Sequence, residues 1–235
     1  FEINDVGEYR DRPWTDQQKA FAAMVTRLDR DIGQLLDLLA EMGIEGRTLV
    51  MTSGDNGSSF DPDSEFGRLF NQAGNGLRGY KRGLYEGALR QASIVRWPGV
   101  VPAGRFSTDL IDCSDFLPTF AELAGAPLPA GKVIDGRSFA SQLRGRNEHG
   151  RDWIFIQLAR RWYVADRHWK LNQAGELFDL SDAPFTEKAV ASSNASPAAR
   201  AARVRLQSAL DRLNPAGGIL DDGDGTGRHA KREEN

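Results

Sequence analysis

From Thr15 onward, Phe21, Met24, Val25, Leu28, Ile32, Leu35, Leu36 and Leu39 recur at three- and four-residue spacing, while Arg27, Asp29, Arg30 and Asp37 fall on other faces. That period predicts one long amphipathic helix. Thr15 and Gln18 stand at capping-box spacing behind Pro13 and Trp14, and Gly43 supplies a stop. The period then changes. Thr48 to Thr52 is a short apolar, β-favouring run without polar alternation, the pattern of a strand covered on both faces of an α/β sheet. A helix, a short connection and a buried strand form half of an α/β unit, which places the helix on one face of the sheet.

The stretch Ser58 to Gly76 is rich in Gly, Asn, Asp and Ser and keeps no period, so a long loop is expected there, of the kind that serves a site. Ala92 to Val95 predicts a second strand, stopped by Pro98 and Gly99. A helix follows from about Ser114 to Ala124, with Gly125 as its stop and Pro118 either in its first turn or kinking it, and a shorter one covers Ser138 to Leu143. From Trp153 the texture differs. WIFIQ, RWYVAD, HWKLN and ELFDL are four aromatic and β-branched runs separated by turn residues, which predicts a small antiparallel sheet whose tryptophans serve packing. A last helix, Pro197 to Leu213, carries Val204, Leu210 and Leu213 and is expected to lie across that sheet. The expected organisation is therefore an α/β region over 1–147, the small β subdomain with its helix over 148–213, and a disordered tail over 214–235.

Composition narrows the classes of function. The 235 residues carry a net charge of −3 with basic and acidic residues interspersed, which predicts neither a nucleic-acid nor a membrane surface. No run approaches the roughly 18 apolar residues of a membrane span. The single cysteine, Cys113, excludes an internal disulfide and a thiolate zinc site. Phe1 comes without an initiator Met or a signal pattern, so the expectation is a processed chain or a piece of a longer one.

Asp55 and Asn56 directly follow the strand at Thr48 to Thr52, where open α/β sheets bind ligands. Both offer oxygen, suited to a hard divalent cation, although Asp, Asn and Gly are equally ordinary turn residues. Arg78, Lys81 and Arg82 fall within five positions among glycines, which suits a sharp turn presenting cations to an anion, or simply a solvated basic turn. Gly74 to Gly79 spells G-x-G-x-x-G without the strand, helix and spaced acid of a dinucleotide site. Asp222, Asp224, Thr226, Gly227 and Glu233 keep the spacing of a calcium loop without flanking helices, and His229 takes a usually apolar place.

Taken together, TLVMTSGDNG, LRGYKRGLYEGALRQASIVRWPG, DLIDCSDFLPTFAELAG, IDGRSF and WKLNQAGELFDL, in that order, resemble the C-terminal half of a sulfatase, a family within the alkaline-phosphatase-like superfamily. The likeness runs from Tyr9 to Leu180, starting at YRDRPW. It implies an α/β, alkaline-phosphatase-like sheet, present in part, with helices on both faces and a small C-terminal antiparallel sheet packed with a helix. It also implies that Asp55 and Asn56 are ligands of an active-site Ca2+ (Mg2+ being possible), and that Lys81 contacts the sulfate group. Arg78 and Arg82 then become structural or rim residues, with Glu86 as an acid for such an arginine. Ala88, Gln91 and Ala92 depart from the family, where a second glycine and Val-Pro are usual.

The resemblance further implies a formylglycine nucleophile made from a Cys or Ser in a C/S-x-P-x-R motif, which this chain does not contain. Cys113 lies in C-S-D-F-L and is expected to be a small buried side chain near a helix start, not the nucleophile. His149, His168 and His229 fall in late loops, subdomain and tail, where solvated or packing roles are expected. The expected function is part of a sulfuric ester hydrolase acting on an aryl or carbohydrate sulfate. Its other half would supply the formylglycine, and this chain alone would be inactive. The alternatives are a phosphonate or phosphate monoester hydrolase of the same superfamily, or a non-catalytic half-domain. Periplasmic or secreted placement is suggested by the resemblance alone.

Overall fold

A computed structural model describes residues 5–70, 77–146, 150–159, 161–183, 186–213 and 215. The calcium-loop spacing at Asp222 to Glu233, the tail apart from Pro215, His149, His229 and the first half of the Gly74 to Gly79 motif lie outside the described residues. The chain forms two compact units, one of 1–52 with 93–103 and one of 53–92 with 104–235.

In the first unit, helix α1 (Asp16–Glu41) begins where the spacing predicts. The Thr15 hydroxyl accepts from Gln18 N while the Gln18 side chain accepts from Thr15 N, so two orphan amides of the first turn are satisfied reciprocally. Gly43 follows at φ +65°, a left-handed conformation that a Cβ would strain. The apolar stripe forms as spaced, yet Met24, Val25, Leu28 and Leu35 are exposed. Strands β1 (Val50–Ser53) and β2 (Ser93–Arg96) pair in a two-stranded sheet. The β1 residues Val50, Met51 and Thr52 are only half-buried, so the double coverage expected of an uninterrupted apolar strand is not provided by the described residues.

In the second unit, the expected loop over 58–76 contains helix α2 (Glu65–Phe70). Sequence periodicity missed it because its apolar residues are aromatic and few. Phe66 and Phe70 meet at 5.0 Å one turn apart, and Phe60 closes on Phe66 at 4.2 Å. A further short helix, α3 (Glu86–Leu89), follows the basic turn. Helix α4 (Phe116–Ala124) carries Pro118 in its first turn, where the absent N–H is not needed, and ends on Gly125 at φ +65°. The next helix, α5 (Ala140–Leu143), starts slightly later than expected.

The antiparallel sheet has five strands in sequential order: β3 (Ile154–Leu158), β4 (Arg161–Ala165), β5 (Trp169–Asn172), β6 (Leu177–Asp179) and β7 (Lys188–Val190). The four predicted runs form the first four, and KAV at 188–190 was too short to signal the fifth. Val164 pairs with Leu171 and Leu171 with Leu177, so one face carries a row of fully buried aliphatics. Helix α6 (Pro197–Leu213) covers that row with Ala199, Ala202, Leu206, Ala209 and Leu210. Val204, expected on the packed face, is 72% exposed; the helix buries its small-residue stripe instead. The period of two sends Tyr163, Lys170 and Phe178 to the opposite face.

Candidate active site

The site is built where two backbone segments of the second unit lace together. Gly57 N donates to Ala88 O at 2.7 Å and Lys81 N to Ser58 O at 2.6 Å, while Gly87 N donates to Arg78 O at 2.9 Å and closes the second segment on itself. Glycines permit this approach. A Cβ on Gly57 would stand 2.0 Å from Gly87 O, and one on Gly87 would stand 2.3 Å from Gly79 O. Gly54 is likewise filled by the Gln91 amide, whose oxygen is 2.2 Å from the position of a Cβ. Gln91, one of the departures from the family pattern, thus packs directly behind the Asp55 loop. Its buried Nε2 has no hydrogen-bond partner among the described residues.

This lacing joins the Asp55–Asn56 turn to the turn that carries Lys81. The Asp55 side chain is exposed. Asn56 donates Nδ2 to Gly57 O at 3.1 Å, which fixes the amide and leaves its side-chain oxygen as a donor to a ligand. A carboxylate and an amide oxygen are hard donors of the type Ca2+ or Mg2+ takes. They fit such an ion in kind and fall short of it in number, since a calcium ion takes about 6–8 oxygens. Among the described residues no group of three His, Cys, Asp or Glu could hold a metal.

The two arginines separate. Arg78 stacks over the Tyr85 ring at 3.9 Å and pairs with Glu187 at 3.2 Å, so it is held in a structural role. Arg82 is exposed in a left-handed conformation at φ 73°. Glu86, considered as the acid for an arginine of this turn, instead pairs with Arg90 at 2.9 Å.

Cys113 does begin a helical turn, but it is exposed and not buried as expected. Desolvation, then the Asp112, Asp115 and Asp55 carboxylates, hold its thiol above the usual range, the opposite of what a nucleophile needs. His168 lies exposed in the β4–β5 connection.

The strongest polar centre was not singled out in the sequence. Asp115 is almost fully buried and receives Arg151 Nε at 3.0 Å, Arg151 Nη2, Arg137 N at 2.7 Å and Asp112 N at 2.9 Å. Burial opposes ionisation, yet the Arg151 hydrogen bond and the two amides outweigh it and hold the carboxyl below its ordinary value. The Asp112–Asp115 capping-box spacing was the legible signal. Phe139 N donates to Thr119 Oγ1 at 3.0 Å, and a Cβ on Gly136 would meet Ser114 O at 1.9 Å, so IDGRSF is a docking motif for the start of α4.

Comparison with known proteins agrees with this architecture. The family model described as Sulfatase matches residues 4–126, and that described as N-sulphoglucosamine sulphohydrolase, C-terminal, matches residues 78–214. The chain is similar to human steryl-sulfatase, 33% identical over 132 residues that cover 56% of this chain and 23% of that protein. It is also similar to dog N-acetylgalactosamine-6-sulfatase, 34% identical over 142 residues, covering 58% and 26%. A structure solved in complex with its substrate, D-glucosamine-2-N,6-O-disulfate, superposes with a TM-score of 0.66 at 21% identity, covering 88% of this chain and 42% of that one. The chain spans about a quarter of the length of the curated relatives it matches.

Proposed function

Because this chain belongs to the sulfatase family, we propose that it contributes the Asp55, Asn56 and Lys81 part of the active site of a sulfuric ester hydrolase. The observation that carries this reading is the lacing of the Asp55–Ser58 turn to the Arg78–Ala88 segment by two short backbone hydrogen bonds, with a third closing the second segment on itself. It holds two hard oxygen donors and an ammonium on one rigid piece of backbone. The Lys81 side chain is half-buried and meets no carboxylate among the described residues, so its charge is available to an anion.

A sulfate monoester carries one negative charge, and cleavage moves charge between the sulfonyl oxygens and the departing alkoxide. Lys81 would donate a hydrogen bond to those oxygens, orient the group and favour the charge where it accumulates. Asp55 and Asn56 would hold Ca2+, which when bound supplies a Lewis acid at the same oxygens. The formylglycine nucleophile belongs, on this reading, to the remaining length of the family domain. An aryl or carbohydrate sulfate is the proposed substrate class, the latter supported by the glucosamine disulfate bound to the structural relative.

The test is steady-state kinetics, in the enzyme carrying the full family length, on matched aryl sulfate and aryl phosphate esters. Lys81→Ala is expected to lower kcat/KM for the sulfate about 10²- to 10³-fold, as loss of one oxyanion donor does elsewhere. Turnover of the phosphate faster by orders of magnitude would replace this reading with a phosphomonoesterase.

A further inference from the structure

The face of the five-stranded sheet turned away from α6 carries a charged cluster that the sulfatase reading does not use. Glu187, just before β7, is buried, with a side-chain exposure of 8%, and its two oxygens are divided. Oε1 accepts from Lys170 Nζ at 2.9 Å and Oε2 accepts from Arg78 Nη2 at 3.2 Å. Lys170, on β5, is itself buried and lies 4.2 Å from the Tyr163 ring centroid and 5.9 Å from those of Tyr85 and Phe178. Arg78 stacks on Tyr85, and Tyr85 packs on Gly79, where a Cβ would stand 2.9 Å from Tyr85 Cβ.

A buried lysine and an exposed arginine share one carboxylate whose side chain is buried, and removing the acid is costly because it strands the charge of Lys170 in an apolar, aromatic setting. The arrangement is therefore retained as a unit, and what it grips is the Arg78–Tyr85 turn. Lys81 sits in that turn. Its amide is fixed to Ser58 on one side, and on the other side Glu187 fixes Arg78 and, through it, Tyr85.

We infer that Glu187 is a positioning residue, which clamps the Lys81 turn onto the small antiparallel sheet by bridging Arg78 and Lys170. The inference rests on the reading of Lys81 as an anion contact for its functional meaning, and not for its geometry. The small sheet is thereby part of the apparatus that aims Lys81, and a change in the β6–β7 connection is felt at the site.

The experiment uses the chain as it stands, in wild-type, Glu187→Gln and Glu187→Asp forms. Acetylation of Lys81 by acetic anhydride is followed by peptide mass spectrometry, with Lys19 as internal reference and amide exchange of β3 and β4 as the control for general loosening. Glu187→Gln keeps the shape of the side chain and removes its charge, so it is expected to raise Lys81 labelling about five-fold, well beyond any rise in β3 and β4 exchange from the stranded Lys170 charge. Glu187→Asp, which keeps the charge, is expected to return labelling more than half-way. Unchanged Lys81 labelling in Glu187→Gln overturns the clamp. So does a joint rise of Lys81 labelling and β3–β4 exchange in both variants, which would make Glu187 a general stabilising residue. Neither result depends on sulfate hydrolysis, so failure of the clamp and failure of the sulfatase reading are distinguishable.

Discussion

At the scale of single residues, Asp115 is a side chain whose ionisation supports the fold. Its carboxyl is buried, pairs with an equally enclosed Arg151 and accepts two backbone amides. Asp115→Asn strands the guanidinium, and breaking such a pair from one side costs about 3–5 kcal/mol. Denaturant unfolding at neutral pH is expected to show a loss of that order, and a loss under 1 kcal/mol would mean that water reaches Arg151. The sign of the pH dependence follows from the lowered folded-state value. The stability contributed by Asp115 is full above the ordinary 3.8 of an unfolded aspartate and is lost as pH falls through its lower folded value. The gap between wild type and Asp115→Asn should therefore close in that acidic window and stay constant above it. Gly57 makes a second prediction, because its missing Cβ is what lets Gly87 O approach. Gly57→Ala is expected to push the Asp55 turn off the Lys81 segment and lower the unfolding midpoint, whereas Gly46→Ala, with open space at its Cβ, is not.

At the scale of elements, what could be read from sequence depended on whether a local signal stood alone. Helix α1 was legible because cap, period and stop agree, and α6 because its boundaries are Pro197 and the last apolar residue. The face that α6 buries is not the one hydrophobicity alone points to, because Val204 is larger than the alanines that fit against the sheet. Close approach favours Ala199, Ala202 and Ala209, with Leu206 as the one deep knob. Leu206→Ala is therefore expected to cost about 2–5 kcal/mol and Val204→Ala under about 0.5 kcal/mol in the same unfolding assay. Equal losses would show that the helix sits rotated from this arrangement. The candidate site was legible in part. Asp55, Asn56 and Lys81 follow from strand end, turn and resemblance. Glu187 and Lys170 did not, because a lone acid before a three-residue strand has no pattern and acquires its role only through contacts with residues 17 and 109 positions away.

At the scale of the molecule, α1 carries a row of exposed apolar residues. Met24, Val25, Leu28, Leu35, Leu38 and Met42 are all exposed, and the spacing of Leu28, Leu35 and Met42 places them on one stripe along the helix. Soluble monomers seldom leave a contiguous apolar patch above a few hundred Å² without a partner for it. The two-stranded sheet in the same unit adds Ile94, 67% exposed, and edges with free backbone groups. The chain by itself is thus expected to self-associate, with sedimentation velocity showing a mass that grows with concentration. Leu28→Glu combined with Leu35→Glu should return it to the monomer with its helical circular dichroism intact, because both positions face solvent in the single chain and Glu is a good helix former. Self-association unaffected by the pair would move the sticky surface from α1 to the strand edges. A wild-type chain that stays monomeric throughout would show that α1 covers its own stripe in solution. In a protein of full family length the same two charges are expected instead to impair folding, if the stripe is covered there by further parts of the family fold. The contrast between a variant that improves this chain and harms a protein of full family length would identify this face as one that packs against further parts of the family fold.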